Sequence, residues 1–398
     1  MIRGPHTPKR RADAGGSRVI GFIRCSLAST LMLIAGACSG DGGGSEPSVP
    51  LRFLYASAYS ENAGVFSGAI YAFSVDSNGA ITPVAGSPFA PTTNGAPIAI
   101  TRDSKFLYSV DSATGKLSAF AIQSNGWLTD VPGTPFTTPE TPVQLATHPT
   151  SDVLYASSET GNVMVFAIDP ATGEVSLTSS FKTGDFAIED AAMTSDGRYF
   201  YQTSPWQISG LLPNASTGAL LGAVPGSPFK TYSTPGAIGI HPTGKFLYVA
   251  NSDTVLGYGG SLLAYLIDAT SGALTDLPES PFEVGGIQVG VAVDASGRFL
   301  IVGTAGKLSG NCMAVLSINP QTGALTPVAG SPFGQMCGVV AADPSGSYVY
   351  VGGSSGYTVQ QNPGGIFVYS MDQATGALSP IGGVPLAGMQ VSTIVLTQ

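Results

Sequence analysis

The chain has 398 residues, of which only 10% are charged, while glycine and proline number 53 and 29. That composition excludes a helical bundle and points to an all-β protein built on tight turns. The net charge of −9 is unevenly spread: residues 1–37 hold six of the sixteen Lys/Arg and one acid, leaving a body of net −14, which excludes nucleic acid and anionic membrane as partners because both are bound through basic clusters.

In chain order, Lys9, Arg10, Arg11, Arg18 and Arg24 precede a mostly apolar stretch at 27–37 that closes on Ala35-Gly36-Ala37-Cys38. A positive flank, a short apolar core and small residues at the cut are the layout of a secretory signal peptide. The apolar run is too short to anchor by spanning a bilayer. Cys38 directly after the small residues resembles the bacterial lipobox, in which the cysteine is lipidated and becomes the mature N-terminus; the alternative is an unmodified cysteine behind a plain signal peptide. The expected organisation is therefore a signal peptide at 1–37, a Gly/Ser/Pro-rich tether at 38–50 and a repeat body at 51–398. Export and a lipid anchor to the bacterial cell envelope follow from this layout, as does an oxidising setting that permits disulfides.

The body repeats seven times. Its turn glycines, Gly79, Gly126, Gly173, Gly218, Gly272, Gly323 and Gly376, lie 47, 47, 45, 54, 51 and 53 residues apart. Turn formers such as Asp169-Pro170-Ala171-Thr172 precede them, and glycine supplies the positive φ that a tight hairpin needs. Upstream of each stands a β-rich triplet, for example Phe53-Leu54-Tyr55, Phe246-Leu247-Tyr248 and Tyr348-Val349-Tyr350. A period of this size built from short strands predicts a propeller of four-stranded blades.

The first strand of each blade is the innermost. One position in it reads Ala99, Ala146, Ala192, Gly239, Ala292 and Ala341, small residues between bulky neighbours such as Ile98 and Ile100, as expected of strands converging on a channel. The first repeat lacks this strand, and a spare one, Val391-Ser392-Thr393-Ile394-Val395-Leu396, follows the last. The spare strand is expected to complete blade one and close the ring, leaving no exposed sheet edge.

The combination of His241-Pro242-Thr243-Gly244-Lys245-Phe246-Leu247-Tyr248-Val249-Ala250-Asn251 with repeated Asp-x-x-(Thr/Ser)-Gly-Ala-Leu and Ser-Pro-Phe motifs resembles the seven-bladed lactonase-like propellers. That family includes 6-phosphogluconolactonases and muconate-lactonising enzymes, along with exported members. The resemblance covers about residues 51–398 and implies the fold, with lactone hydrolysis as a candidate activity. The enzymatic members resemble one another in a His-containing inner strand and an Asp-Leu-Gly-x-Asp-like segment. Residues 96–117 here carry neither, so no catalytic residue is transferred.

The candidate site is therefore read from the residues themselves. Inter-marker lengths from second to third strand are 16, 10, 9, 8, 15, 13 and 17 in blades one to seven, so the long loops fall on the contiguous blades five, six, seven and one. These loops share a face with the blade-to-blade connections, and loops on a rigid scaffold commonly carry binding. Tyr59, Phe66, Tyr258 and Tyr357 lie there and suit packing on a carbohydrate-like small molecule or a partner protein. On the same face Glu189-Asp190 opens an inner strand, with Gln144 and Gln288 near the equivalent ends of theirs. The acids are candidates for a general base or for a channel cation such as calcium, against the alternative of a solvated channel mouth; no dedicated cofactor or metal cluster is expected. No Lys or Arg approaches this end of the inner strands, which argues against a phosphorylated sugar lactone. His148 and His241 share one repeat position with Thr101, Thr194, Asp294 and Asp343 and read as turn-starting hydrogen bonders. Cys312 and Cys337 fall on neighbouring blades at one face and are expected to form a disulfide, the alternative being two buried thiols. The two functions in view are a binding or scaffolding propeller and a sugar-lactone hydrolase.

Overall fold

The computed structural model describes residues 52–62, 64–92, 95–111, 114–184, 186–231, 234–251, 260–308, 311–353 and 364–398. Among them the chain forms seven antiparallel sheets and no α-helix. Blade two is typical, with strands Ile98–Ile100, Phe106–Asp111, Lys116–Ile122 and Leu128–Asp130 running from the channel outward. The other inner strands are Pro142–Thr147, Asp190–Met193, Pro235–Ile240, Ile287–Val293, Gly338–Ala342 and, for blade one, Gln390–Leu396. Each packs beside the next, and the last returns to the first, so the fold is a closed seven-bladed β-propeller.

Closure is by the C-terminal strand. Gln390–Leu396 pairs antiparallel with Arg52–Asn62, from Leu54↔Leu396 to Tyr59↔Gln390, with one irregularity at Ser57/Ala58. The Thr397 hydroxyl accepts from the Phe53 N–H at 2.8 Å, and Arg52 reaches blade seven to pair with the fully buried Asp343 at 2.6 Å. Thr397 thus occupies in blade one the position held elsewhere by Thr101, His148, Thr194, His241, Asp294 and Asp343. Those side chains also close turns. The Phe106 N–H donates to the Thr101 hydroxyl and the Phe299 N–H to an Asp294 carboxylate oxygen, while Nδ1 of His148 accepts the Ser151 N–H.

The hydrophobic core is divided into seven clusters, one at each blade-to-blade interface. An inner strand presents only its edge to the channel. Its bulky residues face the preceding blade, as Ile98 and Ile100 do, and its small position faces the following one, as Ala99 does. The reason is visible at Gly239, where an added Cβ would stand 2.8 Å from the Val291 side chain of the next blade. The small position is the socket for the neighbour's bulky residue.

A second device links the blades. The tyrosine ending each second-strand triplet is buried, and its hydroxyl donates to the carbonyl of the turn glycine one blade on. Tyr55 reaches Gly126, Tyr108 Gly173, Tyr155 Gly218, Tyr201 Gly272, Tyr248 Gly323 and Tyr350 Gly79, at 2.6–3.1 Å. Blade six carries Ile301 there and so lacks the bond. The turn glycines hence do two jobs. Their φ values of 69–84° suit the turn, and their missing side chain admits the aromatic of the preceding blade; at Gly126, an added Cβ would lie 2.5 Å from Phe53.

The Ser/Thr-Pro-Phe motif also has a structural account. In blades one, two, four and five the outer strand breaks, and the motif's Phe begins a short extra strand on the third strand, as Phe89–Thr92 and Phe136–Thr137 do. Blade six makes a single bridge, Met313↔Phe333. At the break the motif hydroxyl accepts a third-strand N–H that the departing strand leaves open: Ser87 from Ala72, Thr134 from Ala119, Ser227 from Gly210, Ser280 from Ala264 and Ser331 from Val315. Blades three and seven lack the motif, and their outer strands, Val175–Lys182 and Leu378–Pro385, run unbroken.

One expectation is corrected. The extra residues of blades one and six are largely strand rather than loop. Arg52–Asn62 pairs with Val65–Val75 out to Asn62↔Val65, whereas Phe299–Leu308 pairs with Asn311–Ile318 as far as Gly303↔Met313 and, after an irregularity, again at Leu308↔Asn311, its Thr304 and Ala305 pairing with the inner strand. Length alone does not separate an extended hairpin from a loop, because the added residues can pair with one another. The corresponding segments of blades five and seven, with Tyr258 and Tyr357, lie outside the described residues, as does Cys38.

Candidate functional site

The inner strands of blades three, four and six bring Gln144, Glu189, Asp190 and Gln288 to one end of the channel. There they line a single cavity of about 460 Å³. A second cavity of about 480 Å³ opens at the other end, lined by Ala99, Ala146, Ala192 and Ala341 among others. Ile98, Leu145 and Ile394 border both, marking the waist of the channel.

Asp190 is the most constrained group in the acidic mouth. Its N–H donates to the Thr203 hydroxyl at 3.1 Å, and that hydroxyl donates onward to the Gly236 carbonyl of blade five at 2.8 Å. One carboxylate oxygen accepts the Ala191 N–H at 2.8 Å and Nε2 of Gln144 at 3.3 Å. The other accepts the Ile238 N–H at 3.0 Å, beside the irregularity in the inner strand of blade five between Pro235 and Ile238. Gln144 also donates to the Glu189 carbonyl at 2.8 Å. Asp190 therefore stitches blade four to blade five, and Gln144 stitches blade three to blade four.

The electrostatics are set by burial without a counter-ion. Burial pushes the Asp190 carboxyl up to about 6, opposed by the two backbone N–H donors and aided by the nearby charge of Glu189. Glu189 is exposed, yet its carboxyl is also raised, by desolvation. Among the described residues, no Lys, Arg or His lines the cavity. Asp190 is thus held partly protonated near neutral pH, the state in which a carboxyl can take or give a proton.

Gln288 borders the same cavity but is 1% exposed; its amide oxygen and nitrogen are closed off from solvent and have no hydrogen-bond partner among the described residues. Tyr59 and Phe66 stand apart from this group on the blade-one hairpin. Their ring centroids are 6.0 Å apart, and the Tyr59 hydroxyl donates to the Gln390 side-chain oxygen at 3.2 Å. Two exposed aromatics not expected from the sequence belong to blade four as the acidic pair does: Phe186, 59% exposed, and Trp206, 53% exposed. Trp206 sits between strands Phe200–Ser204 and Gln207–Pro213 with φ of 69°, unusual for so bulky a residue. A tryptophan directly after a proline, in Ser204-Pro205-Trp206-Gln207, was the available signal.

Cys312, opening the third strand of blade six, and Cys337, preceding the inner strand of blade seven, are joined in a disulfide. It fastens the connection between the blades on the face that carries the acidic mouth.

The profile of the family described as "Lactonase, 7-bladed beta-propeller" matches residues 53–184 and 219–341. The chain belongs to that family. Solved structures agree with this lactonase fold. A candidate 6-phosphogluconolactonase from Bacteroides fragilis superposes with a TM-score of 0.70 at 19% identity, covering 89% of this chain and 99% of its own. A periplasmic gluconolactonase of Pseudomonas aeruginosa gives 0.63 at 17% identity, covering 87% and 99%. At such identities the likeness establishes the fold alone. No match was found among curated proteins.

Proposed function

We propose that this lactonase-family propeller is a ligand-binding module of the bacterial cell envelope. Its site is the acidic channel mouth, and its ligand is a carbohydrate-like small molecule without phosphate. The observation that carries this reading is a cavity of about 460 Å³ bordered by Glu189, Asp190 and Gln144, with no cationic residue among the described residues of its wall. A phosphate there would meet negative charge with nothing to pair it. A cation such as calcium is a weaker fit, because three N–H donors already point at the Asp190 carboxylate. The aromatics Phe186, Trp206, Tyr59 and Phe66 on the same face supply surfaces of the kind that stack on sugar rings or partner chains. The basic leader and Cys38 support export and lipid anchoring; Cys38→Ser should move the protein from the membrane fraction to the soluble one.

A second reading, hydrolysis of a sugar lactone, is favoured by one observation. The Asp190 carboxyl near 6 is poised to act as a general base toward a water in the cavity. The two readings part on a panel of glucono-1,5-lactone, its 6-phosphate and acyl lactones. The binding reading expects calorimetric binding of uncharged members with no turnover above the spontaneous rate. Turnover that falls at least a hundredfold in Asp190→Asn, and survives in Glu189→Gln, would instead establish the hydrolase.

A further inference from the structure

We infer that the cleft between the outer parts of blades one and two is a second binding site, and that it takes a small organic cation with an apolar body, such as an arylammonium. The site is independent of the channel and of the reading given to it.

The cleft exists because blade one departs from the repeat. The extra strands of blades two, four and five pair with their third strands without interruption. In blade one, Phe89 pairs with Ile70 and Pro91 with Ala69, so Ala90 is an inserted residue, held at a φ of 24°. A bulge re-aims side chains, and here both Phe89 and Ala90 pack against the core between blades one and two. They border a cavity of about 410 Å³, a size within the range of small-molecule sites.

The wall supplied by blade two decides the chemistry. Phe120 and Leu128 are buried and form an apolar floor. Trp127 is exposed and stands beside Phe89, their ring centroids 6.3 Å apart. Asp130 pairs opposite Phe120 and so shares its face of the sheet. Among the described residues Asp130 makes no salt bridge, and no Lys, Arg or His lines the cavity. An aromatic face attracts a cation through its quadrupole, and a carboxylate bonds most strongly to a charged N–H donor. An anion would be repelled by Asp130. An uncharged apolar molecule would cover the carboxylate without pairing it. An ammonium on an apolar body meets both the floor and the rim.

The test titrates the intact protein at pH 7 with phenethylammonium, 2-phenylethanol and phenylacetate, which share a ring and differ in charge. Binding is followed by NMR on the indole N–H signals of the two tryptophans, Trp127 and Trp206, assigned with Trp127→Phe. Phenethylammonium is expected to move the Trp127 signal and to bind at least ten times more tightly than the alcohol, with phenylacetate weaker still. Asp130→Asn, at an exposed position, is expected to keep the melting temperature and to bring the ammonium down to the affinity of the alcohol. Equal binding of the ammonium and either other probe by the wild type would overturn the selection for a cation. A preference that survives Asp130→Asn would overturn the assignment of the carboxylate. Movement of the Trp206 signal alone would put the cation on blade four, towards the acidic channel mouth, and remove this site.

Discussion

Asp190 shows how one carboxylate serves two ends. It satisfies the Ile238 N–H beside an irregular stretch of blade five, a structural task, yet it does so in a cavity with no cationic residue among the described ones. Its folded-state pKa of about 6 lies above that of a free aspartate. The folded protein therefore binds this proton more tightly than the unfolded chain does. The sign follows: the contribution of this group to stability is full below about pH 4 and is lost as pH rises to about 6. Asp190→Asn should flatten that dependence. Measured by denaturant unfolding from pH 4 to 7, the wild type should lose stability relative to the variant as pH rises, by an amount on the order of 3 kcal/mol at most. Histidine 148 behaves in the opposite sense: burial lowers its pKa, so it remains neutral in its turn at pH 7, consistent with a hydrogen-bond acceptor rather than a charged group.

At the scale of the blade, the repeat motifs are contact devices between neighbours. The tyrosine-to-glycine bonds make this testable. Tyr155→Phe removes the hydroxyl that meets the Gly218 carbonyl in a fully buried position, and a loss of about 1–2 kcal/mol is expected. Tyr59→Phe, whose hydroxyl bonds a partly buried glutamine side chain, should cost less than about 0.5 kcal/mol. Thermal or denaturant unfolding of the two variants side by side decides the point. Equal losses would mean that the buried tyrosines contribute through ring packing and not through the bond. The repeated tyrosines, turn glycines and Ser-Pro-Phe segments were all visible in the chain. Their roles were not, because each motif is completed by a residue about one blade away in sequence or by a third-strand N–H left open only in the folded blade.

For the whole molecule, the controlling fact is closure. Without Gln390–Leu396, the second strand of blade one would present an open edge, and the core between blades seven and one would lose Val391, Ile394 and Leu396. A chain truncated after Met389 should lose cooperative unfolding or accumulate as aggregate, and a synthetic peptide of residues 390–398 added during refolding should restore near-ultraviolet circular dichroism. A truncated chain that melts as sharply as the full one would show that the ring does not depend on its terminal strand. Closure also fixes the site: it sets the seven inner strands edge-on around one axis, which is what brings side chains from blades three, four and six to a common cavity.

By itself the sequence determined the number of blades, their four-stranded build, the missing first strand and its replacement at the other end. All of these are written in short-range periodicity, and local pattern is what a linear chain records. The acidic pair and the two glutamines were also legible as candidates, since they sit at repeat-equivalent ends of inner strands. Only the tertiary structure decided that they share one cavity, that Gln144 is spent on bridging blades while Gln288 is not, and that blades one and six extend as hairpins. It alone brought Phe186 and Trp206 onto that face. Each of these depends on which groups from distant repeats meet across the channel and on how much water their meeting excludes, and neither quantity exists until the ring is closed.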